Sequence, residues 1–370
     1  MRKAITILLL FLILPQMGVA QGNEASDEGP GIGAWQYGDP QDYGFDPIKL
    51  KQAADAVGEI GGRQGLVIVR DGVIVYEDYW SNTYHQATPA WRNVSFSAAK
   101  SFASALVGIA VQNDLLAIED QVSQYHSPEA SGLRPGTTIH HLLTMSSGGT
   151  LVIKPSTRRP SRKTDNPPRG TGIDYMRVIK PENGTPDGYG TTLAPGKQFF
   201  YDGEPADHLA NVLAAATGMS SRAYTWQALL EPMGIENFNF QPEGIDSQDN
   251  TRMAGSIEVS VRDLARLGQL WLNQGRWNGE QLVNAEFVRQ AVSSSPTNPD
   301  YGFLWWLNTS GRPLPSAPSN LYYASGAFGQ LAYVLPDQNI VIATMGFTPD
   351  RPPNITRNIW EAIQPGLPLK

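Results

Sequence analysis

Apolar residues recur along this chain with two periods, and stretches of each period are segregated. Helical spacing comes first: Leu50, Ala53, Ala54 and Val57 follow Asp46-Pro47, an N-cap residue with proline at the first helical position. Two β-rich runs, Gly65 to Arg70 and Val73 to Tyr76, then flank Asp71-Gly72, the dipeptide of a two-residue hairpin. The middle returns to helical patterns. A helix is predicted from Ser97 to Gln112, with Phe102, Ala105, Leu106 and Ile109 on one face. Others fall near Ile139 to Met145, at His208 to Thr217, and at Ser260 to Gln274, whose apolar side carries Leu264, Ala265, Leu267, Leu270 and Trp271. The last third reads as strands at Tyr301 to Leu307, Leu321 to Ala324, Leu331 to Leu335 and Ile340 to Met345. Pro336 to Asn339 is the turn between the last two, and Thr356 to Ile363 a closing helix.

Strands at both ends bracketing a helical middle predict an α+β fold. One antiparallel sheet, flanked by the N- and C-terminal helices, would take residues of about 43–95 and 295–370, with a mostly helical second lobe over about 96–294. Residues 21–42, rich in Gly, Asp, Glu and Pro, read as a loose N-terminal arm. The stretch 150–190 is Pro-, Gly- and Arg-rich without periodicity, the pattern of a long functional loop such as a lid or pocket wall, or of a mobile one.

The first twenty residues are of another kind. Met1-Arg2-Lys3 is basic, Ala4 to Leu14 is apolar, Pro15 breaks the run, and Gly18-Val19-Ala20 offers small residues at a cut site. This predicts a signal peptide at 1–20 and export to the periplasm or exterior; an uncleaved anchor is the alternative, although the run is short for a span. With no cysteine, thiolate nucleophiles, thiolate metal sites and disulfides are excluded. Net charge is −7, near −9 without Arg2 and Lys3, and no basic run is present, so nucleic acid is not an expected partner. Oligomeric state leaves no trace in the pattern.

A Gly-x-Ser-x-Gly elbow is absent. The five histidines, His85, His126, His140, His141 and His208, form neither a metal-ligand spacing nor a Ser-His-Asp order, so no metal or cofactor is expected. Ser97-Ala98-Ala99-Lys100 is different: Ser-x-x-Lys opening an apolar helix. Residues three apart share a helix face, so the amine can reach the serine oxygen. A lysine buried at a domain junction is a usable base, because desolvation disfavours its charged form. The competing reading of Ser97 is a plain helix cap.

The surrounding segments decide between them. The Leu66 to Glu77 hairpin, Trp91 to Ala103, Thr138 to Gly148 (TIHHLLTMSSG), Pro195-Gly196 to Tyr201, Glu231-Pro-Met-Gly-Ile235, and Tyr301 to Trp306 with Gly329 to Pro336 occur in the order found in one family. On these segments the chain resembles the serine β-lactamase and penicillin-binding-protein family, from about Asp46 to the C-terminus. The resemblance implies that Ser97 is acylated and Lys100 relays its proton. It also implies that Tyr201, the tyrosine of Tyr-x-Asn, assists proton transfer to the leaving group, and that the N–H groups of Ser97 and Ala327 form the oxyanion hole. Two departures stand out. Tyr-x-Asn reads Tyr201-Asp202-Gly203, and the Lys-Thr-Gly strand motif reads Ala324-Ser325-Gly326, or alternatively the Gly326 to Gly329 turn. Alanine cannot supply the charge that holds a substrate carboxylate, whereas Gly326 still permits close backbone approach.

The resemblance thus implies an esterase or amidase, like the family's esterases and 6-aminohexanoate-dimer hydrolases. A D-alanyl peptidase, a weak β-lactamase and a non-catalytic binding protein are the alternatives. Ser325, Gly326, Phe328 and Trp305 are the expected pocket residues, with Trp306, Tyr322 and Tyr323 nearby; sheet-core packing is the competing role for the aromatics.

Overall fold

The computed structural model describes residues 28–81, 86–127, 131–148, 194–347 and 353–368. The expected signal peptide, the 150–190 loop and His85 lie outside them. Helix α1 (Pro47–Gly58) starts as predicted, with the Asp46 carboxylate accepting from the N–H groups of Ile48 and Lys49. Strands β1 (Arg63–Arg70) and β2 (Val73–Tyr79) form the hairpin. Asp71 and Gly72 between them both take positive φ, 50° and 77°, the turn geometry that matches strand twist. Strand β3 (Arg92–Val94) leads through a 3-10 turn at Phe96–Ala98 into helix α2 (Ala99–Gln112).

The middle contains α3 (Ile139–Leu143), α4 (Glu204–Thr217) and α5 (Ser221–Tyr224), then β4 (Asn239–Phe240) and β5 (Ile257–Ser260), which join β3 in a small sheet. Helix α6 (Val261–Leu272) begins with a Ser260–Asp263 capping box. A short hairpin, β6 (Arg276–Trp277) and β7 (Glu280–Gln281), and helix α7 (Ala285–Ala291) follow. Strands β8 (Trp306–Leu307), β9 (Tyr322–Gly326), β10 (Gln330–Leu335) and β11 (Ile340–Gly346) and helix α8 (Ile355–Ile363) close the chain.

The main sheet runs β2-β1-β11-β10-β9-β8, antiparallel throughout, so both ends of the chain meet at β1 and β11. Val67 pairs with Ala343 and Ile68 with Ile342. Alternation sends Leu66, Ile68, Tyr333 and Ile342 toward Leu50, Ala54, Ile359 and Trp360 of the terminal helices. The opposite face, with Val67, Val69, Ala332 and Val341, meets Leu264, Leu267 and Trp271 of α6. Burial on both faces explains why β1 reads as an unbroken apolar run. Gly268 lets α6 close on the sheet, since a Cβ there would lie 2.5 Å from Val341 Cγ1.

Two expectations need correction. Tyr301 to Trp305 is not strand: Leu304 takes a φ of 61°, and the chain turns back so that Tyr301 bridges Trp306. Residues 28–42 are not loose either. Arg266 donates to Gly31 O and Met233 O at 2.8 Å each and to Gly33 O at 2.6 Å. Trp277 Nε1 also donates to Gly31 O, Tyr37 bridges Ile74, and Trp35 is buried. The arm is held by side chains bonding its backbone, which apolar periodicity does not reveal.

Candidate active site

Every residue of α2 from Ala99 to Ala110 is buried, so this helix is surrounded on all sides. Its first turn therefore carries Lys100 into the interior, where the residue is 3% exposed. Ser97 sits one turn earlier, half-buried, in the 3-10 turn that enters the helix. Phe96, just before it, takes a φ of 47°, a conformation costly for a bulky residue. Lys100 Nζ donates to Ser97 Oγ at 3.1 Å and to Ala254 O at 3.2 Å. Among the described residues no carboxylate lies within 4.0 Å of it. Both of its partners are neutral oxygens.

Tyr201 lies on the same side. Lys100 Nζ is 5.0 Å from the centroid of its ring. The ring is held by Trp306 at 5.1 Å and Tyr301 at 6.0 Å, and Phe199 packs on Tyr301 at 5.0 Å. Burial, and then the neighbouring Tyr201, push the Tyr301 phenol well above its usual range, so Tyr301 stays a neutral wall.

The closing strand supplies the other side. Gly326 is extended, φ −119° and ψ 160°, and passes directly against the nucleophile turn. A Cβ there would collide with Ser95 O and come within 3.1 Å of Ala98 N. Ala327 follows, and then Phe328 in left-handed backbone with φ 63° and ψ 15°. The Phe328 ring packs on Phe96 at 5.1 Å and on Phe347 at 5.0 Å.

Of the residues singled out in the sequence, Ser97, Lys100, Tyr201, Gly326, Ala327 and Phe328 are brought to one region. Two are not. Trp305 is fully buried and packs on Trp271 at 4.9 Å and Tyr322 at 5.5 Å, so it belongs to the core, and Trp306 beside it meets Tyr201. Ser325 alternates to the opposite face from Ala324 and Gly326, and its Oγ lies 3.5 Å from Thr356 Oγ1, next to α8.

Sequence reasoning missed the support beneath Lys100. Asp207 accepts from the Ala254 N–H at 3.0 Å through one oxygen and from Arg252 Nε at 3.0 Å through the other. It thereby ties down, through its N–H, the residue whose carbonyl receives the lysine. A backbone acceptor leaves no mark in a sequence, and Asp207 and Ala254 are far apart in the chain. A Cβ on Gly203 would lie 3.3 Å from Ala254 Cβ and 3.7 Å from Arg252 Nη2, so these side chains occupy the space beside that turn.

Among the described residues no three His, Asp or Glu side chains gather as a metal site. His208 of α4 instead packs on His126 at 5.5 Å. His141 completes the Thr138 capping box of α3.

The site is thus a serine–lysine pair at the entrance of a buried helix, faced by a tyrosine and by a glycine strand. The sequence model of the Beta-lactamase family matches residues 50–362. The chain belongs to the Beta-lactamase family. An uncharacterized protein from Alkalihalophilus pseudofirmus is 26% identical over 321 residues, 80% of this chain and 87% of that protein. Among solved structures, a provisionally named 6-aminohexanoate-dimer hydrolase from Bacillus anthracis has a TM-score of 0.68 at 17% identity, covering 92% of this chain and 88% of that one. EstCE1, described as a hydrolase with promiscuous acyltransferase activity, gives 0.63 at 14%, covering 86% and 97%. The octameric penicillin-binding-protein homologue from Pyrococcus abyssi gives 0.61 at 19%, covering 88% and 76%. At these identities the structural matches establish the β-lactamase and penicillin-binding-protein fold.

Proposed function

We propose that this β-lactamase-family protein is a serine hydrolase that cleaves neutral esters or small amides through an acyl-enzyme on Ser97. The observation that carries the reading is the Lys100 amine, 3.1 Å from Ser97 Oγ, buried, and without a carboxylate partner among the described residues. Lys100 takes the Ser97 proton as Oγ bonds to the substrate carbonyl carbon. The carbonyl π electrons move to oxygen, where the N–H groups of Ser97 and Ala327 receive the charge. Collapse expels the alcohol or amine, which takes a proton passed from Lys100, with Tyr201 assisting. Water then attacks the acyl carbon by the same route in reverse order of partners and releases the acid.

The substrate class follows from charge. Ala324 is fully buried where the family's lysine holds a substrate carboxylate, so a neutral substrate fits better than a β-lactam or a D-alanyl peptide. The aromatic wall of Trp306, Tyr301 and Tyr201 favours an apolar group beside the scissile bond. The names of two structural matches, a dimer hydrolase and an acyl-transferring hydrolase, support acyl-group chemistry. The basic start and apolar run of residues 1–20 support a place in the periplasm or exterior. No helix among the described residues is long and apolar enough to cross a membrane.

The test is a panel of p-nitrophenyl acetate and butyrate, a penicillin and a D-alanyl peptide, with wild type and Ser97→Ala. Turnover of the p-nitrophenyl esters, abolished in Ser97→Ala, is expected. Wild-type turnover in that variant would remove Ser97 from the mechanism. Faster reaction with penicillin or the D-alanyl peptide would replace the esterase reading with a peptidase or β-lactamase, and silence on all substrates would favour a binding protein.

A further inference from the structure

Arg63, the first residue of β1, is 2% exposed. Its guanidinium spans the end of the sheet and bonds only backbone carbonyls. Nε donates to Ile60 O at 3.2 Å, Nη1 to Gly329 O at 2.6 Å, and Nη2 to Phe328 O. Among the described residues no carboxylate lies within 4.0 Å of it. Burial lowers its pKa only to about 10, so it remains a cation at neutral pH.

The surrounding chain is shaped to admit it. A Cβ on Gly329 would lie 2.9 Å from Nη1, and one on Gly346 would lie 2.7 Å from Nε. The tips of Ile355 and Ile359 reach the same spot from α8. A buried cation without a counter-charge is costly, and an apolar side chain would fill this volume more cheaply. The three carbonyls are what the charge serves, and two of them belong to the turn after Ala327. That turn contains Phe328, a bulky residue held in left-handed backbone, which alone would relax to another conformation.

We propose that Arg63 is a positioning residue of the oxyanion hole. By holding the Phe328 and Gly329 carbonyls it keeps residues 327–329 in the turn that aims the Ala327 N–H beside Ser97. Strand β1, two strands away from β10 in the sheet, thus supports the reaction. The inference rests on the hydrolase reading above and adds to it a role for a residue that no substrate touches.

The test uses the full chain, p-nitrophenyl butyrate turnover, and inhibition by n-butylboronic acid, whose tetrahedral adduct needs the same N–H donors as the transition state. Arg63→Met removes every donor and keeps an apolar stem; Arg63→Lys keeps the charge but not the fork. In folded Arg63→Met, kcat should fall about 10²–10³-fold, as for loss of an oxyanion donor, with KM within about threefold. Boronate affinity should fall in parallel, and Arg63→Lys should lie between the two. A folded Met variant with kcat and boronate affinity within about threefold of wild type would overturn the proposal. So would lost turnover with unchanged boronate affinity, the mark of a merely structural role. Should Arg63→Met fail to melt cooperatively, Arg63→Lys decides on the same criteria. A wild type without Ser97-dependent turnover overturns the hydrolase reading and this proposal together, whereas an active wild type with unaffected Arg63 variants overturns this proposal alone.

Discussion

Substituting Gly326 by alanine isolates the role of the closing strand. The backbone there is extended, so an alanine adopts it without strain and the whole penalty is steric. The new Cβ would overlap Ser95 O and sit 3.1 Å from both Ala98 N and Gln330 Cβ. None of these neighbours yields readily. Ser95 is tied to Ile257 O twice, by its N–H at 2.9 Å and its hydroxyl at 2.7 Å, and Ser95 O itself accepts from Ala98 N at 3.1 Å. Ordinary contact is restored only if β9 retreats by about 1 Å, and overpacking of this kind costs about 1–3 kcal/mol. For a chain of this size that is a melting-point loss of roughly 1–4 °C, which leaves the protein folded at assay temperature. Catalysis should suffer more. Moving the Ala327 N–H by about 1 Å from the reacting carbonyl costs on the order of 10²-fold in kcat. The Ser97–Lys100 pair lies on the other wall, so KM should change little. The assay is steady-state hydrolysis of p-nitrophenyl butyrate beside a thermal melt. A folded Gly326→Ala enzyme with kcat within about threefold of wild type would refute the placement of the oxyanion hole at this strand.

Three further outcomes follow from the same geometry. Lys100→Met should lower kcat by about 10²–10⁴-fold while leaving the melting point equal or higher, because it removes a buried amine without opening a cavity; loss of less than about tenfold would argue against Lys100 as the base. Burial holds His208 at about 4, and burial together with neighbouring His208 holds His126 at about 4, against about 6.5 when unfolded. The unfolded chain then binds protons that the native state refuses, so this contribution is full above pH 6.5 and is lost as pH falls toward 4, by about 1.4 kcal/mol per pH unit for each imidazole. Urea unfolding across that window should show the slope reduced in His208→Gln, and an unchanged slope in that variant would contradict the linkage. Trp306→Ala should raise KM for p-nitrophenyl butyrate more than it lowers kcat, whereas Trp305→Ala should chiefly lower the melting point; the reverse pattern would return Trp305 to the pocket.

Much of the architecture was legible because it is written in local chemistry. The Asp46-Pro47 helix start, the Asp71-Gly72 hairpin and the Ser260 helix each depend on residues a few positions apart. Ser97 and Lys100 were legible for the same reason, being three apart at a helix entrance. What escaped is non-local. Arg63 and Asp207 act on backbone groups far away in the chain, and carbonyls carry no sequence signature. Trp305 and Trp306 look alike in sequence, and only the turn at Leu304 decides which one enters the core. Ser325 was assigned to the site by its motif position, yet strand alternation sends it to the other face.

The proposed chemistry turns on Ser97 becoming acylated. The most direct measurement is intact-protein mass spectrometry after rapid mixing with p-nitrophenyl butyrate or a fluorophosphonate, followed by peptide mapping. One stoichiometric adduct on Ser97, absent from Ser97→Ala and slow to form in Lys100→Met, is the predicted result. An adduct on another residue, or ester turnover with equal labelling in Ser97→Ala, would contradict the account.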